Sequence, residues 1–158
     1  MILIALGANL PSPAGAPAQT LRAALARLGG EGVRIAAVSS FYNTKAWPDP
    51  ADPPFVNAVA AVTTALPPDA LLARLHDIEA AFGRHRSAKN APRTLDLDLL
   101  DYDGRVEAGP PLLPHPRIAE RDFVLRPLAE IAPDWRHPVL GLTAGELLSR
   151  LADGGAKD

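Results

Sequence analysis

The sequence predicts an α+β fold, a ferredoxin-like βαββαβ antiparallel sheet with helices packed on it and further helices toward the C-terminus. Three observations lead there. Apolar, β-branched runs alternate with stretches whose leucines recur at helical spacing, in the order strand, helix, strand, strand, helix, strand, which is the split βαβ pattern. The 17 prolines cluster at 48–54, 110–116 and 133–138, where a fixed φ and a missing donor mark loops between regular elements. The 158 residues, 47% of them hydrophobic, suit one compact domain over residues 1–158 with a single core.

Taken in order, residues 1–6 read as a strand, and Gly7 to Pro17 as a loop. Leu21, Ala24, Leu25 and Leu28 then recur with the period of a helix that Gly29-Gly30 stops. Val33 to Thr44 and Phe55 to Ala65 are rich in β-branched and aromatic residues and read as strands. Lys45 to Pro54 joins them as a long loop, a length often found where loops carry function. Pro67-Pro68-Asp69 opens a helix whose apolar stripe is Leu71, Leu72, Leu75, Ile78 and Phe82, with Gly83 as its stop. Leu95 to Leu100 is the next strand, Asp103-Gly104 a turn, and Phe123 to Ile131 and Thr143 to Leu151 are short helices.

Composition narrows the function classes. With 16 basic and 18 acidic residues the net charge is -2, so no overall field favours nucleic acid or an anionic membrane, and phosphate binding would need local clustering. The absence of cysteine excludes disulfides and thiolate metal sites and fits a reducing compartment, the cytoplasm. Met1 to Leu6 is short, lacks a basic flank and reads as a buried strand rather than a signal peptide. No stretch is long enough to span a bilayer.

The chemistry centres on Asp96 and Asp98. On a strand, residues two apart share a face, so these carboxylates project together while Leu95, Leu97 and Leu99 line the other side. At about 6–7 Å they repel by roughly 0.6 kcal/mol in water and about 2.5 kcal/mol at an effective dielectric near 20, so a cation between them is welcome. Magnesium suits such a pair, because it combines one or two carboxylates with waters and substrate phosphates. A lone Asp-x-Asp is more often a solvated strand edge. Here, however, Arg84, Arg86, Lys89 and Arg93 lie just upstream, and guanidinium forks match phosphate oxygens. The pair beside the basic cluster suggests a metal-bound polyphosphate, although the cluster alone is better explained by a mobile surface loop whose arginines snorkel or pair with acids. There is no Gly-x-x-x-x-Gly-Lys-Ser/Thr loop, so side chains and metal would hold the triphosphate.

An ordered set of motifs carries a resemblance. Gly83-Arg84-His85-Arg86, then Pro92-Arg93-Thr94-Leu95-Asp96-Leu97-Asp98-Leu99-Leu100, Leu113-Pro114-His115-Pro116 and Arg121-Asp122-Phe123-Val124-Leu125 follow one another. Gly7-Ala8-Asn9-Leu10, Ser39-Ser40-Phe41-Tyr42-Asn43-Thr44 and Phe55-Val56-Asn57-Ala58 precede them. Together these runs span nearly the whole chain, and it resembles the 6-hydroxymethyl-7,8-dihydropterin pyrophosphokinases of folate synthesis.

The resemblance implies a monomeric, cytoplasmic enzyme that moves the terminal diphosphate of ATP onto the pterin hydroxymethyl oxygen and releases AMP. It implies two magnesium ions held by Asp96 and Asp98, with Asp96 also near the attacking hydroxyl. By the same resemblance, Arg84 and Arg93 lie near the transferred phosphates. His76, Glu79, Arg86, Leu99, His115 and Arg121 lie on the nucleotide, although exposed helix polarity accounts for His76 equally well. For the pterin it implies Asn57 reading the ring edge, Phe55 and Phe123 on its faces, and Thr44 beside them. An amide between aromatics suits a flat heterocycle, although core packing by itself would explain both rings.

The chain departs from the family pattern in several places. Where many members carry an Arg-Trp pair, this chain has Ser87-Ala88-Lys89-Asn90-Ala91-Pro92, one residue shorter and without tryptophan. Lys89 is a point charge rather than a fork, and Trp47 is the aromatic that would substitute. Phe55 stands where some members have tyrosine, and Pro110 and Leu112 where some have basic or hydroxyl residues. Two other readings stay open at this level. One is a nucleotidyltransferase built on the same aspartates, which would release pyrophosphate rather than AMP. The other is a ferredoxin-like RNA-binding module, which the lack of aromatics on Leu95 to Leu100 and the slight acidity disfavour.

Overall fold

The computed structural model describes residues 1–30, 32–44, 54–83 and 94–155. Its frame is an antiparallel sheet built from β1 (Ile2–Ala8), β2 (Val33–Val38), β3 (Tyr42–Thr44), β4 (Phe55–Thr64) and β5 (Asp96–Tyr102). The order is β2-β4-β1-β5, with β3 continuing beside β4 and β5 at an edge. β1 is apolar on both faces, and all seven of its residues are buried between layers of helices.

α1 (Pro17–Leu28) and α2 (Pro68–Ala81) cover one face, where Leu21, Leu28, Leu71, Leu75 and Ile78 pack on Ile4, Leu6, Leu97 and Leu99. α3 (Asp122–Ile131) and α4 (Ala144–Gly155) cover the other, where Leu125, Leu128 and Leu147 meet Leu3, Val59 and Leu100. Each such leucine, fully buried, contributes roughly 1.5–3 kcal/mol, so both faces are held by burial rather than by helix propensity. Pro17 and Pro68 open α1 and α2, where a missing amide hydrogen costs nothing. Gly83 closes the segment after α2 with φ +83, a left-handed conformation that disfavours any side chain. α4 begins with a reciprocal cap: Glu146 N–H donates to Thr143 Oγ1 at 3.2 Å, and Thr143 N–H donates to the Glu146 carboxylate at 2.9 Å.

The expected strands and helices are all present, the Lys45 to Pro54 loop lying outside the described residues up to residue 53, but several boundaries differ for reasons that lie in their neighbours. β1 runs on through Gly7 and Ala8, residues read from sequence as the start of a loop, because a glycine there gives space to a side chain on the next strand. The expected strand from Val33 to Thr44 is two strands. Val38 faces Ala60 but Tyr42 faces Asn57, so four steps on one chain match three on the other, and a bulge intervenes. Ser39 sits in it: its N–H donates to the Val59 carbonyl at 2.9 Å, and its Oγ accepts the Val59 N–H at 3.0 Å. Leu72 lies at the rim of the α2 stripe rather than in the core.

β5 carries its own irregularity. Leu99 faces Ile4 and Asp101 faces Leu3, so Leu100 is an extra residue. Asp96, Asp98 and Leu100 therefore point to the α3/α4 face, and the bulge returns Asp101 to that face as well. The Asp103-Gly104 turn follows as expected, with positive φ at both residues (53° and 74°) and Arg105 N–H donating to the Tyr102 carbonyl at 3.0 Å. Within the proline-rich stretch beyond it, β6 (Glu107–Ala108) and β7 (Leu112–Leu113) pair as a small hairpin that periodicity did not signal. Among the described residues, no helix is long and apolar enough to cross a membrane.

Candidate active site

One row of residues crosses the sheet at its open end. Asp96 on β5 faces Gly7 on β1, Gly7 faces Asn57 on β4, and Asn57 faces Tyr42 on β3. The adjacent row runs from Asp98 through Ala5 to Val59, and the last two belong to the core under α3. Both aspartates therefore project to the α3/α4 side, while Leu95, Leu97 and Leu99 enter the opposite core, as the alternation predicts. Gly7 has no positive φ to explain it. Its role is spatial, since a Cβ there would stand 2.9 Å from Asn57 Oδ1.

Asn57 is 6% exposed, and its Nδ2 donates to Thr44 Oγ1 at 2.7 Å, so the amide has a fixed orientation. Phe55 lies two residues away on the same strand face and is partly exposed. Phe123, in the first turn of α3, is also partly exposed and packs at the margin of the core beneath that helix. Thr44, Phe55, Asn57, Asp96 and Phe123, the five residues expected around the pterin, thus share the α3 side of the sheet. Phe55 and Phe123 are only partly buried, and Phe123 packs against the core beneath α3.

Arg121 precedes α3 and reaches the aspartates: its guanidinium lies 3.7 Å from the Asp98 carboxylate and 5.7 Å from the centre of the Phe123 ring. His115 is carried to the same place by its N–H, which donates to the Leu100 carbonyl at 2.8 Å on the β5 bulge. Burial, then the positive charge of Arg121, lowers the His115 pKa from 6.5 to about 4 against the pull of Asp96. Its Nδ1 accepts the Arg117 N–H at 3.2 Å, so the neutral ring carries its proton on Nε2 and presents a donor there. A neutral donor, a cation and two carboxylates are thus gathered at one end of β5.

The remaining expected residues lie elsewhere. Leu99 is 4% exposed with its side chain in the α1/α2 core, so any contact with a ligand would fall to its backbone on β5, an edge strand among the described residues. His76 is exposed on α2, whereas Glu79 on the same helix is 2% exposed and accepts the Leu97 N–H at 2.8 Å. Arg84, Arg86 and Arg93, with Trp47, Lys89 and the short 87–92 loop, lie outside the described residues.

One set of contacts was not foreseen. Glu130 on α3 accepts from Tyr42 Oη at 2.6 Å, Ser40 N–H at 2.9 Å and Ser40 Oγ at 3.0 Å, tying the β2–β3 bulge to the helix above it. Hydrogen bonding from Tyr42 and Ser40 lowers the Glu130 pKa, and the same bond raises that of Tyr42. Nothing in local sequence marks Glu130, an exposed acid on an amphipathic helix. Gly7 could have been found, since an isolated glycine inside a strand pattern signals close approach of a neighbour.

The donor set fits magnesium that arrives with a nucleotide. Asp96 and Asp98 offer hard oxygens on one face, and Asp98 keeps 29% of its side chain exposed. Among the described residues no group of three or more candidate ligands forms a self-sufficient metal cage, so phosphates and waters would complete the shell.

The fold and this cluster of side chains define an α+β protein whose carboxylates, arginine and histidine gather on one face of a helix-covered antiparallel sheet. Residues 3–133 match the family of 7,8-dihydro-6-hydroxymethylpterin-pyrophosphokinases. The chain is 39% identical over 94% of its length to a 2-amino-4-hydroxy-6-hydroxymethyldihydropteridine pyrophosphokinase of Synechocystis sp., covering 75% of that protein. It is 40% identical over 96% of its length to the protein of that name from Methylorubrum extorquens, covering 94% of it. It is also 35% identical over 96% of its length to a folic acid synthesis protein of Pneumocystis carinii, of which it spans 20%. The chain belongs to the 7,8-dihydro-6-hydroxymethylpterin-pyrophosphokinase family.

Proposed function

We propose that this chain transfers the terminal diphosphate of ATP to the hydroxymethyl oxygen of 6-hydroxymethyl-7,8-dihydropterin, releasing AMP, a step of folate synthesis. The observation that carries the reading is the row Asp96, Gly7, Asn57 with Arg121 on Asp98, which sets an amide for a flat heterocycle beside carboxylates for a metal-bound polyphosphate.

Asn57, fixed by Thr44, reads the polar edge of the pterin over the side-chain-free surface of Gly7, and Phe55 and Phe123 cover its faces. This orientation brings the hydroxymethyl group toward Asp96. The hydroxyl oxygen attacks the β-phosphorus, the bond from that phosphorus to the bridging oxygen of the α-phosphate breaks, and AMP leaves. Magnesium, which we take as two ions held by Asp96 and Asp98, would draw charge from the phosphate oxygens. Arg121, and by family resemblance Arg84, Arg86 and Arg93, neutralise and orient the polyphosphate. His115 donates from Nε2 to a nucleotide oxygen without adding a charge. His76 and the Leu99 backbone complete the nucleotide side.

The strand order β2-β4-β1-β5, with every pairing antiparallel and helices linking β1 to β2 and β4 to β5, supports the ferredoxin-like reading. We take the chain as one domain acting as a cytoplasmic monomer on small molecules, in keeping with its lack of cysteine and near-neutral charge. Incubation with ATP, magnesium and 6-hydroxymethyl-7,8-dihydropterin, followed by separation of nucleotides, tests the reaction. One AMP should form per pterin diphosphate. Release of inorganic pyrophosphate with a nucleotide on the acceptor would make the chain a nucleotidyltransferase instead.

A further inference from the structure

We propose that Glu79 is a positioning residue for the strand carrying Asp96 and Asp98, acting through the Leu97 amide; this rests on the reading of those aspartates as the metal-nucleotide carboxylates. Glu79 stands four residues beyond Leu75 and beside Ile78, on the stripe that α2 turns to the core, and it is 2% exposed. A carboxylate at a core position is costly unless its oxygens are hydrogen-bonded, so its partners indicate what it does. One partner is the backbone of β5: Oε2 accepts the Leu97 N–H at 2.8 Å in a buried setting.

Among the described residues β5 is an edge strand, and no other strand pairs with the amides it turns away from β1. Leu97 is the residue between Asp96 and Asp98, and its side chain enters the α1/α2 core while theirs point to the opposite face. Glu79 therefore lies on the other side of the strand from the carboxylates and acts on them by fixing the backbone from which both project. The far end of the strand has separate anchors, Trp135 Nε1 on Asp101 at 2.8 Å and His115 N–H on the Leu100 carbonyl at 2.8 Å. With the Leu97 amide held as well, neither end of this edge strand is left to fray, and the separation of the two carboxylates is set before ligand binds.

Two substitutions of similar length test this. Glu79→Gln keeps an acceptor for the Leu97 amide, and Glu79→Met removes it. The readouts are amide hydrogen exchange at Leu97 and Asp98, the magnesium dependence of kcat, and KM for each substrate. Glu79→Met should speed exchange at both amides, lower kcat and raise the magnesium needed for half-maximal rate by about 10- to 100-fold, as when the supporting hydrogen bonds of a metal site are lost. Its KM for pterin should not change, and Glu79→Gln should stay close to wild type in every readout. The proposal is overturned if Glu79→Met leaves Leu97 exchange unchanged, or raises KM for ATP alone, which would make Glu79 a direct nucleotide contact. It is equally overturned if Glu79→Gln loses activity and amide protection, an outcome that can be read even if Glu79→Met does not fold. Asp98→Asn separates the underlying reading: full turnover in that variant removes the aspartates from the metal site, whatever exchange at Leu97 reports.

Discussion

Asp98 and Asp101 stand on the same strand and the same face of the sheet, yet the protein treats them oppositely. Asp98 keeps 29% of its side chain exposed and meets Arg121 at 3.7 Å, at the open end of the sheet. Asp101 is 2% exposed, and its two oxygens accept Trp135 Nε1–H at 2.8 Å and Gly104 N–H at 3.0 Å. Each end also has a histidine whose pKa burial lowers, His115 beside Asp96 and Arg121, and His137 against the Trp135 ring. The difference is one of cover. The carboxylate beside Trp135 is buried and bonded by the protein's own donors, whereas Asp98 stays partly exposed, as the proposed metal role requires.

The comparison breaks most visibly at Asp98. Asp98→Asn should lower kcat by at least about a hundredfold with little change in unfolding free energy, because a neutral amide binds magnesium poorly while its ion pair with Arg121 is partly exposed. Steady-state kinetics at saturating magnesium beside a urea titration checks both halves, and near-normal turnover would remove Asp98 from the metal. Asp101→Ala should do the reverse. It strands the indole N–H and the Gly104 amide and should cost about 2–4 kcal/mol of stability, read from the urea midpoint, with the folded fraction still active. A variant that loses turnover at unchanged stability would mean that the two ends are not separate.

Arg121→Ala is expected to act more modestly. Its ion pair with Asp98 is partly exposed and contributes less than about 1 kcal/mol to folding, so stability should hold while KM for ATP rises about tenfold. A stability loss without a kinetic one would make Arg121 structural. The smallest effect is the titration of the two histidines. His115 titrates near 4 in the folded chain and near 6.5 unfolded, so the unfolded state takes up the proton first. The stability tied to its neutral form is complete above about pH 6.5 and declines as pH falls toward 4. Phosphates of bound Mg–ATP should raise the His115 pKa and leave that of His137 where it was, which imidazole proton shifts would follow. Equal responses at both rings would show that the cluster at Asp96 is not the nucleotide site.

Much of the site could be read before any fold was known. The alternation of Leu95, Leu97 and Leu99 with Asp96 and Asp98 assigned each to its face, and the structure keeps that assignment. The helices around Leu21 to Leu28 and Leu71 to Phe82, the Gly83 stop and the Asp103-Gly104 turn also followed from spacing and from residues that tolerate positive φ. The bulges were not legible. An extra residue at Leu100 or around Ser39 exists only relative to the strand opposite, and no local pattern encodes that partner's register. For the same reason Gly7 reads from sequence as the start of a loop rather than as the space beside Asn57. Nor does any local pattern mark Glu130 as the partner of Tyr42 and Ser40.

By itself the sequence determined which side chains share a face and which family the motifs resemble, because strand and helix periods are local properties of the chain. Only the tertiary structure decided what covers each of them. Whether a carboxylate becomes a saturated buried anchor or a binding group depends on donors brought from far away, such as Trp135, 34 residues beyond Asp101, and Leu97, 18 residues beyond Glu79. Solvation and hydrogen-bond supply are properties of packed neighbours. That is why Asp98 and Asp101, alike in residue type and facing, differ in what they do.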